Sequence, residues 1–258
     1  MYYRPRIIPC LSIDDGEMVK TIHFQKPRYL GDVVNAVKIF NNKGVDELSI
    51  LDISATRRGK GPNFDLLKDI ATEAFMPLSY GGGVTEIEQI KKLFYIGYEK
   101  IIMNTAFVKN PQLVQEAVRF SGSQSVVVSI DAKADLFGRY TCYMGDGQER
   151  LQMDPIQLAK QAQELGAGEI LLNSINRDGD MNGYDLKLVK NVADSVDIPV
   201  IACGGAGKIE DIKAVLQEGH ADAAAAGSFF VYYGRNKAIL ITAPSEQELV
   251  QAGIYSNE

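Results

Sequence analysis

The chain has 258 residues, of which 46% are hydrophobic and 23% charged, and its formal net charge is −6. This composition is typical of one large globular domain, and no apolar run approaches the ~18 residues of a membrane span. No continuous apolar core of a signal peptide follows the first residues, so we expect a cytosolic protein. The negative charge argues against a nucleic-acid-binding surface.

Cysteine and histidine are too sparse for the usual metal sites. The three cysteines, Cys10, Cys142 and Cys203, are widely spaced and odd in number, and the two histidines are His23 and His220. This spacing excludes a disulfide framework and a zinc site of the CxxC type. We therefore predict reduced thiols, no metal and no cofactor.

Strand-like and helix-like segments alternate along the whole chain. Short runs rich in Ile, Val, Leu or Ala predict parallel strands at 6–12, 47–52, 77–80, 100–104, 125–131, 169–174, 199–203 and 223–226. Helical patterns lie at 33–42, 64–74, 87–96, 111–120, 155–165, 185–194, 209–218 and 245–252. Eight such pairs predict an α/β fold, a (β/α)8 TIM barrel, as a single domain over residues 1–258.

The two halves of the chain carry a matching pair of glycines. Gly82-Gly83 and Gly204-Gly205 each follow an apolar run that begins with proline, and the same offset of 122 residues pairs Glu47 with Glu169. A period this long predicts two tandem half-barrel repeats, about 1–122 and 123–258. A doubly wound open sheet is the alternative fold, but it does not explain the repetition.

Glycine-rich segments follow the predicted strands at the face where a barrel builds its site. Because glycine has no side chain, an anion can approach the backbone there and accept hydrogen bonds from N–H groups at the start of a helix. The predicted phosphate-binding residues are Gly82, Gly83, Asn104 and Thr105 in the first half, and Asp178, Gly179, Gly204, Gly205, Gly227 and Ser228 in the second. A structural role remains the alternative, because tight turns after strands also need glycine.

A series of motifs in order carries a family resemblance. They are the segments 7–11, 15–16, 52–53, 81–83, 104–105, 130–133, 166–172, 177–179 and 202–207. Together they resemble the cyclase subunit of imidazole glycerol phosphate synthase, the HisF family, over nearly the whole chain. The resemblance implies a barrel that docks a glutaminase on its N-terminal rim and receives ammonia through its axis. It also implies a bisphosphorylated ribulosyl aminoimidazole carboxamide as substrate, held at its ends by the two glycine segments.

The resemblance implies two catalytic aspartates, at the ends of the first and fifth strands. Superposing residues 8–12 on 127–131 places Ser12 opposite Asp131, so only the fifth-strand carboxylate is present. A serine hydroxyl without an activating partner is no base at neutral pH, and losing one acid/base group costs ~10²–10⁴-fold. We therefore predict loss of ring closure. Asp14 would replace the missing group if the first strand ran on, but Asp15-Gly16 predicts a turn there.

Charged residues stand at the first positions of the even-numbered strands of the predicted barrel. Glu47, Lys100, Glu169 and Asp222 occupy these positions, and Arg6 opens the first strand. Charge inside a barrel is costly unless it is paired or hydrated. Arg6, Glu47, Lys100 and Glu169 match the salt-bridged gate that the resemblance implies at the ammonia entrance. Four solvated rim charges are the alternative.

Two further segments bear on the choice between functions. Lys20 matches a substrate-loop lysine of the family, with a solvated loop charge as the alternative. The tail at 235–244 resembles a divergent branch of HisF subunits associated with surface-polysaccharide (lipopolysaccharide) biosynthesis. That resemblance implies delivery of ammonia to a sugar amidotransferase that converts an acetamido group into an acetamidino group.

Three functions are therefore weighed from the sequence. The leading one is an ammonia-conducting subunit that partners a glutaminase and a sugar amidotransferase. The second is a working cyclase of histidine biosynthesis that uses Asp131 with Asp14 or another base. The third is a phosphate-binding barrel with no role in ammonia transfer.

Overall fold

The computed structural model describes residues 4–234 and 236–256. Its strands in chain order are β1 (Arg6–Asp14), β2 (Glu17–Ile22), β3 (Gln25–Gly31), β4 (Leu48–Asp52), β5 (Leu78–Gly81), β6 (Lys100–Met103), β7 (Val126–Ala134), β8 (Tyr140–Met144), β9 (Glu149–Arg150), β10 (Glu169–Ser174), β11 (Val200–Cys203), β12 (Ala223–Ala226), β13 (Tyr232–Tyr233) and β14 (Ala238–Ile239). The helices are α1 (Val33–Lys43), α2 (Phe64–Glu73), α3 (Ile87–Ile96), α4 (Thr105–Lys109), α5 (Pro111–Ser121), α6 (Pro155–Glu164), α7 (Leu186–Ala193), α8 (Ile209–Gln217), α9 (Ser228–Val231) and α10 (Glu246–Gln251).

Eight of the strands in the described part of the chain close into a parallel barrel. Their order is β1, β4, β5, β6, β7, β10, β11, β12, and β12 pairs with β1 to complete the circle. A helix crosses back between successive strands, as parallel pairing requires. The predicted TIM barrel is confirmed, and the open-sheet alternative is wrong. The division into repeats of about 1–122 and 123–258 stays a prediction.

The helices form where capping residues and amphipathic spacing coincide. Asp32 accepts a hydrogen bond from the Asn35 N–H at the start of α1, and Gly44 ends that helix in the left-handed conformation. Asp154 and Gln157 form a reciprocal capping box at the start of α6. Each cap satisfies backbone groups that the helix itself leaves unpaired, so the helices begin where the predicted patterns begin, within one or two residues.

Among the residues that the structure describes, two separate apolar clusters hold the barrel together. The larger one fills the space between strands and helices and includes the fully buried Phe40, Ile50 and Tyr80. The smaller one fills the inside of the barrel: Ile8, Cys10, Ile102, Val127, Leu171, Ile201, Cys203, Ala223 and Ala225. Because strand side chains alternate between the two sides, one set of strands supplies both clusters.

Three hairpins in the described part of the chain were not predicted, and one of them joins β13 to β14. β2 and β3 pair after β1, and β8 and β9 extend β7 as an antiparallel ribbon. Pairing with β2 also carries β1 on to Asp14, two residues beyond the predicted end at residue 12, and the predicted turn at Asp15-Gly16 follows directly. Asp15 and Gly16 form the turn itself, both with positive φ. Hydrogen bonds to β2 explain the extra length.

Candidate functional site

The N-terminal end of the barrel carries a ring of four charged side chains, Arg6, Glu47, Lys100 and Glu169, which we call the entrance ring. Arg6 donates to Glu47 at 2.6 Å and to Glu169 at 2.9 Å. Lys100 donates to the same two carboxylates at 2.9 and 3.0 Å. Each charge therefore faces two opposite charges across the barrel axis. The structure brings together the four residues named from the sequence.

Pairing offsets the cost of burial in the entrance ring. Burial lowers the pKa of the Arg6 guanidinium, but Glu169 and Glu47 outweigh it and raise the pKa above its ordinary value. The fifth residue of the predicted layer, Asp222, accepts a hydrogen bond from the Val200 N–H at 2.8 Å. Its carboxylate therefore also ties the start of β11 to the residue that precedes β12.

A cavity of about 140 Å³ opens at the other end of the barrel, above the smaller apolar cluster. The predicted site residues that line it are Ser12, Lys20, Gly82, Gly83, Asn104, Thr105, Asp131, Asp178, Gly179, Gly204, Gly205, Gly227 and Ser228. Pockets for drug-sized ligands are roughly 300–1,000 Å³. The volume of this cavity lies below that range, and residues of the β2–β3 hairpin and of the β8–β9 ribbon, Lys20 and Asp146 among them, form part of its lining.

The first glycine segment lies tight against the strand beside it. Gly82 has φ +130°, and a Cβ there would lie 2.5 Å from the Asp52 carbonyl oxygen. Asn104 donates to the Ser129 carbonyl at 3.0 Å, and Thr105 accepts a hydrogen bond from the Gly145 N–H at 3.1 Å. Asn104 thus ties β6 to β7, and Thr105 holds the turn of the β8–β9 ribbon, in addition to lining the cavity.

The second glycine segment leaves one hydroxyl open to a ligand. Gly205 has φ +121°, and a Cβ there would meet the Gly183 carbonyl oxygen, so only glycine fits. Ser228 is buried at the start of α9, and its hydroxyl has no hydrogen-bond partner among the described residues. A buried polar group without a partner is costly, and an anion bound at this position would satisfy it.

Asp178 holds the β2–β3 hairpin against the barrel. Its carboxylate accepts hydrogen bonds from Lys20 at 2.6 Å, from the Thr21 hydroxyl at 2.9 Å and from the Phe24 N–H at 3.3 Å. Lys20 is only 7% exposed, so the alternative interpretation as a solvated loop charge is wrong. The pair brings the predicted substrate-loop lysine and one predicted phosphate-site residue into direct contact.

Ser12 lines the cavity together with Asp131, whereas Asp14 is held outside it. The Asp14 carboxylate accepts a hydrogen bond from Arg58 at 2.8 Å and lies 3.9 Å from Arg57. Asp14 is also not among the residues that line the cavity. The geometry therefore does not place Asp14 as the substitute for a first-strand carboxylate.

The structure shows a further carboxylate on the cavity wall, Asp146, which sequence reasoning missed. It lies in the turn of the β8–β9 ribbon with φ +62°, and its carboxylate is 3.8 Å from Arg57. The ribbon begins on the strand of Asp131 and reaches the loop after β4, so it crosses the mouth. The flanking Gly145 and Gly147 were the available signal, since they indicate a tight turn that presents this residue.

Asp131 and Asp146 have unusual acidities among the carboxylates that line the cavity. Burial and then the nearby Asp146 charge raise the pKa of Asp131 to about 7, against a smaller lowering by a hydrogen bond from Asn173. Burial raises the pKa of Asp146 to about 7 as well, with Arg57 opposing and Asp14 adding to the increase. Both groups therefore exchange protons near neutral pH, where acid/base chemistry is most effective.

Replacing Asp131 with asparagine is expected to stabilise the protein at pH 8. The folded-state pKa lies above the ordinary value of 3.8, so stability from this group is full at low pH and is lost as pH rises through about 7. At about 1.4 kcal/mol per pKa unit, we expect Asp131→Asn to raise the free energy of unfolding by roughly 1–3 kcal/mol more at pH 8 than at pH 5. Urea unfolding at both pH values measures this, with the exposed Asp135→Asn as control. Equal effects at both pH values would contradict the assignment.

Comparisons with known proteins agree with this geometry. The family model for "Histidine biosynthesis protein" matches residues 6–237. A protein of Pseudomonas aeruginosa named "Putative imidazole glycerol phosphate synthase subunit hisF2" is 44% identical over 95% of this chain and 98% of its own length. A Leptospira interrogans protein named "Putative imidazole glycerol phosphate synthase subunit HisF" is 46% identical over 95% of this chain and 97% of its own length.

A third relative has a similar coverage. The "Imidazole glycerol phosphate synthase subunit HisF" of Alkaliphilus metalliredigens is 40% identical over 88% of this chain and 90% of its own length. The family match runs from the start of β1 to beyond β12 and so covers the whole barrel. The chain therefore belongs to the HisF family of histidine biosynthesis proteins.

Proposed function

We propose that this protein is the ammonia-conducting barrel subunit of a cytosolic glutamine amidotransferase complex, and that it no longer closes an imidazole ring. One observation carries the proposal: Ser12 occupies the cavity wall where the family resemblance implies a carboxylate, while the entrance ring is complete. Selection for closure of the imidazole ring would retain the carboxylate. Selection for conduction alone would retain the entrance ring.

The interior of the barrel supports passage of neutral ammonia. The entrance ring closes one end, the small apolar cluster follows, and the cavity lies at the other end. Ammonia crosses an apolar layer far more easily than a charged ion does, because the ion loses its hydration. This order of layers suits a route that begins at the ring and ends in the cavity.

The rim around the entrance ring offers a docking surface for a glutaminase. Phe75 follows α2, Tyr95 lies near the end of α3 and Phe120 near the end of α5, with exposures of 86%, 93% and 51%. The C-terminal ends of barrel helices lie at the rim where the strands begin. Large exposed aromatic residues are enriched in protein interfaces, so we place the glutaminase here.

The acceptor of the ammonia is proposed to be a sugar amidotransferase that docks on the C-terminal face. The resemblance of the tail at 235–244 to the polysaccharide-associated branch supports this partner, although Arg235 lies outside the described residues. Ile239 and Leu240 in the described part of the tail are exposed, as is Tyr233 just before it, and Lys237 donates to the carbonyl of Gly179 on the cavity wall at 3.4 Å. A partner seated there would receive ammonia directly from the cavity.

Asp146 favours a second candidate function, the working cyclase. A second carboxylate that crosses the mouth near Asp131 supplies what Ser12 lacks, provided that substrate binds between the two. The two functions differ in one measurable respect. Only the cyclase converts the bisphosphorylated substrate and ammonium into imidazole glycerol phosphate.

The purified chain is expected to stimulate its glutaminase partner at least tenfold and to show no steady turnover of the bisphosphorylated substrate with ammonium. Glutamate release and imidazole glycerol phosphate formation measure the two activities. Tyr95→Asp should abolish stimulation, whereas the exposed Leu136→Asp on the opposite face is the matched control. Turnover at the rate of an authentic cyclase would overturn the leading function in favour of the second. No stimulation of the glutaminase would overturn the leading function.

A further inference from the structure

The cavity above the apolar cluster is negatively charged in a way that phosphate binding does not explain. Its charged lining residues in the described chain are Lys20, Asp52, Asp131, Asp146 and Asp178. Lys20 neutralises Asp178 at 2.6 Å. The Asp52 carboxylate accepts hydrogen bonds from the Ser54 N–H, the Ser54 hydroxyl and the Ala55 N–H. Asp131 and Asp146 thus remain as the carboxylates whose charge the cavity compensates least.

The groups that surround this pair neutralise it only in part. Arg57 lies 3.8 Å from Asp146, beyond hydrogen-bond distance, and 3.9 Å from Asp14, which is itself held by Arg58 at 2.8 Å. The nearby Asp178 raises the pKa of both members of the pair. The cavity therefore favours either protons or a bound cation.

An amide oxygen beside the pair is also without a partner. Asn173 pairs in register with Asp131 on the neighbouring strand, is 7% exposed and lines the cavity. Its side-chain oxygen accepts no hydrogen bond from the described residues. A buried acceptor without a donor is costly, and a small ligand with N–H groups would supply the donor.

We propose that Asp131 and Asp146 trap ammonia that emerges from the barrel interior and hold it as ammonium, with the Asn173 oxygen as a further acceptor. The inference rests on the proposed conduction of ammonia. In the step, the O–H bond of one protonated carboxyl breaks and a fourth N–H bond forms, which leaves a carboxylate beside an ammonium ion. When ammonia leaves, the same proton returns to the carboxylate, so the cycle consumes nothing.

The apolar cluster gives this proton transfer a direction. Neutral ammonia passes between Ile8, Val127 and Leu171, but ammonium cannot return through them without losing its hydration. Protonation in the cavity therefore prevents back-diffusion towards the glutaminase. Because both carboxyl groups have a pKa of about 7, protonated and ionised forms are both present at neutral pH, as the trap requires.

Titration of the isolated full chain with ¹⁵N-labelled ammonium chloride, at constant ionic strength and pH 7.5, tests the trap. We expect saturable binding, seen by NMR of the ammonium resonance, that potassium does not displace at equal concentration. Asp146→Asn should weaken the binding at least tenfold. Asp15→Asn is the matched control, since Asp15 pairs with Arg58 and Lys60 outside the cavity and should leave the affinity unchanged.

The unmodified protein provides a test that does not depend on a variant folding. Affinity for ammonium should fall as pH is lowered from 8 to 6, because protons then occupy both carboxylates. Absence of saturable binding, equal binding of potassium, or an affinity that is independent of pH would overturn the trap. Glutaminase stimulation is measured separately, so stimulation without ammonium binding would remove the trap alone. Binding without stimulation would remove the proposed conduction.

Discussion

Replacing Glu47 with glutamine is expected to lower the free energy of unfolding by roughly 3 kcal/mol, the range for leaving a buried charge without its partner. Glu47 is 3% exposed and accepts hydrogen bonds from both Arg6, at 2.6 Å, and Lys100, at 2.9 Å. Without its charge the entrance ring contains two cations and one anion, so Arg6 and Lys100 repel each other across Glu169. Urea denaturation at pH 7 measures the loss.

The same variant also tests the ring as an entrance. Glu99 precedes Lys100 on the same rim but is exposed, so Glu99→Gln is a matched control that should change stability by less than about 0.5 kcal/mol. With the glutaminase partner present, we expect Glu47→Gln to reduce ammonia delivery relative to glutamate release. Equal stability of the two variants would show that the ring is solvated and that the four side chains are independent rim charges.

The barrel could be predicted from the sequence because its strands are short, apolar and regularly spaced. The strand pattern at 169–174 matches β10 residue for residue, and the pattern at 100–104 exceeds β6 by one residue. The entrance ring could also be predicted from the sequence. Its residues stand at or near the first positions of strands, where core packing alone would not select charged side chains. In both cases the signal is local, since periodicity and position along one strand suffice.

The cavity mouth could not be predicted in the same way, because distant segments build it. Asp146 gains its role only when the β8–β9 ribbon crosses towards Arg57, and nothing in the sequence near Asp146 indicates that crossing. The pairing of Lys20 with Asp178 joins residues 158 positions apart. The unexpected extension of β1 to Asp14 depends on pairing with β2. Tertiary contacts decided all three.

Introducing aspartate at position 12 is expected to produce the largest gain of activity. Ser12 and Asp131 line the same cavity, so Ser12→Asp restores a carboxylate at the end of β1 where the family resemblance implies one. A positioned acid/base group contributes ~10²–10⁴-fold to a rate, and we expect imidazole glycerol phosphate formation to rise by about 10² or more above the unmodified chain. The added charge also disfavours ionisation of its neighbours, so the pKa of Asp131 should rise above about 7.

Ser12→Asn is the matched control for this gain. It has nearly the same shape as aspartate but cannot exchange a proton, so its turnover should stay at the level of the unmodified chain. The rate of Ser12→Asp should fall as pH rises through a value near or above 7. Acid/base catalysis needs one of the two carboxyl groups protonated while the other is ionised, and the pKa of Asp131 is already about 7. If Ser12→Asp and Ser12→Asn show the same rate, the absent first-strand carboxylate is not what prevents ring closure.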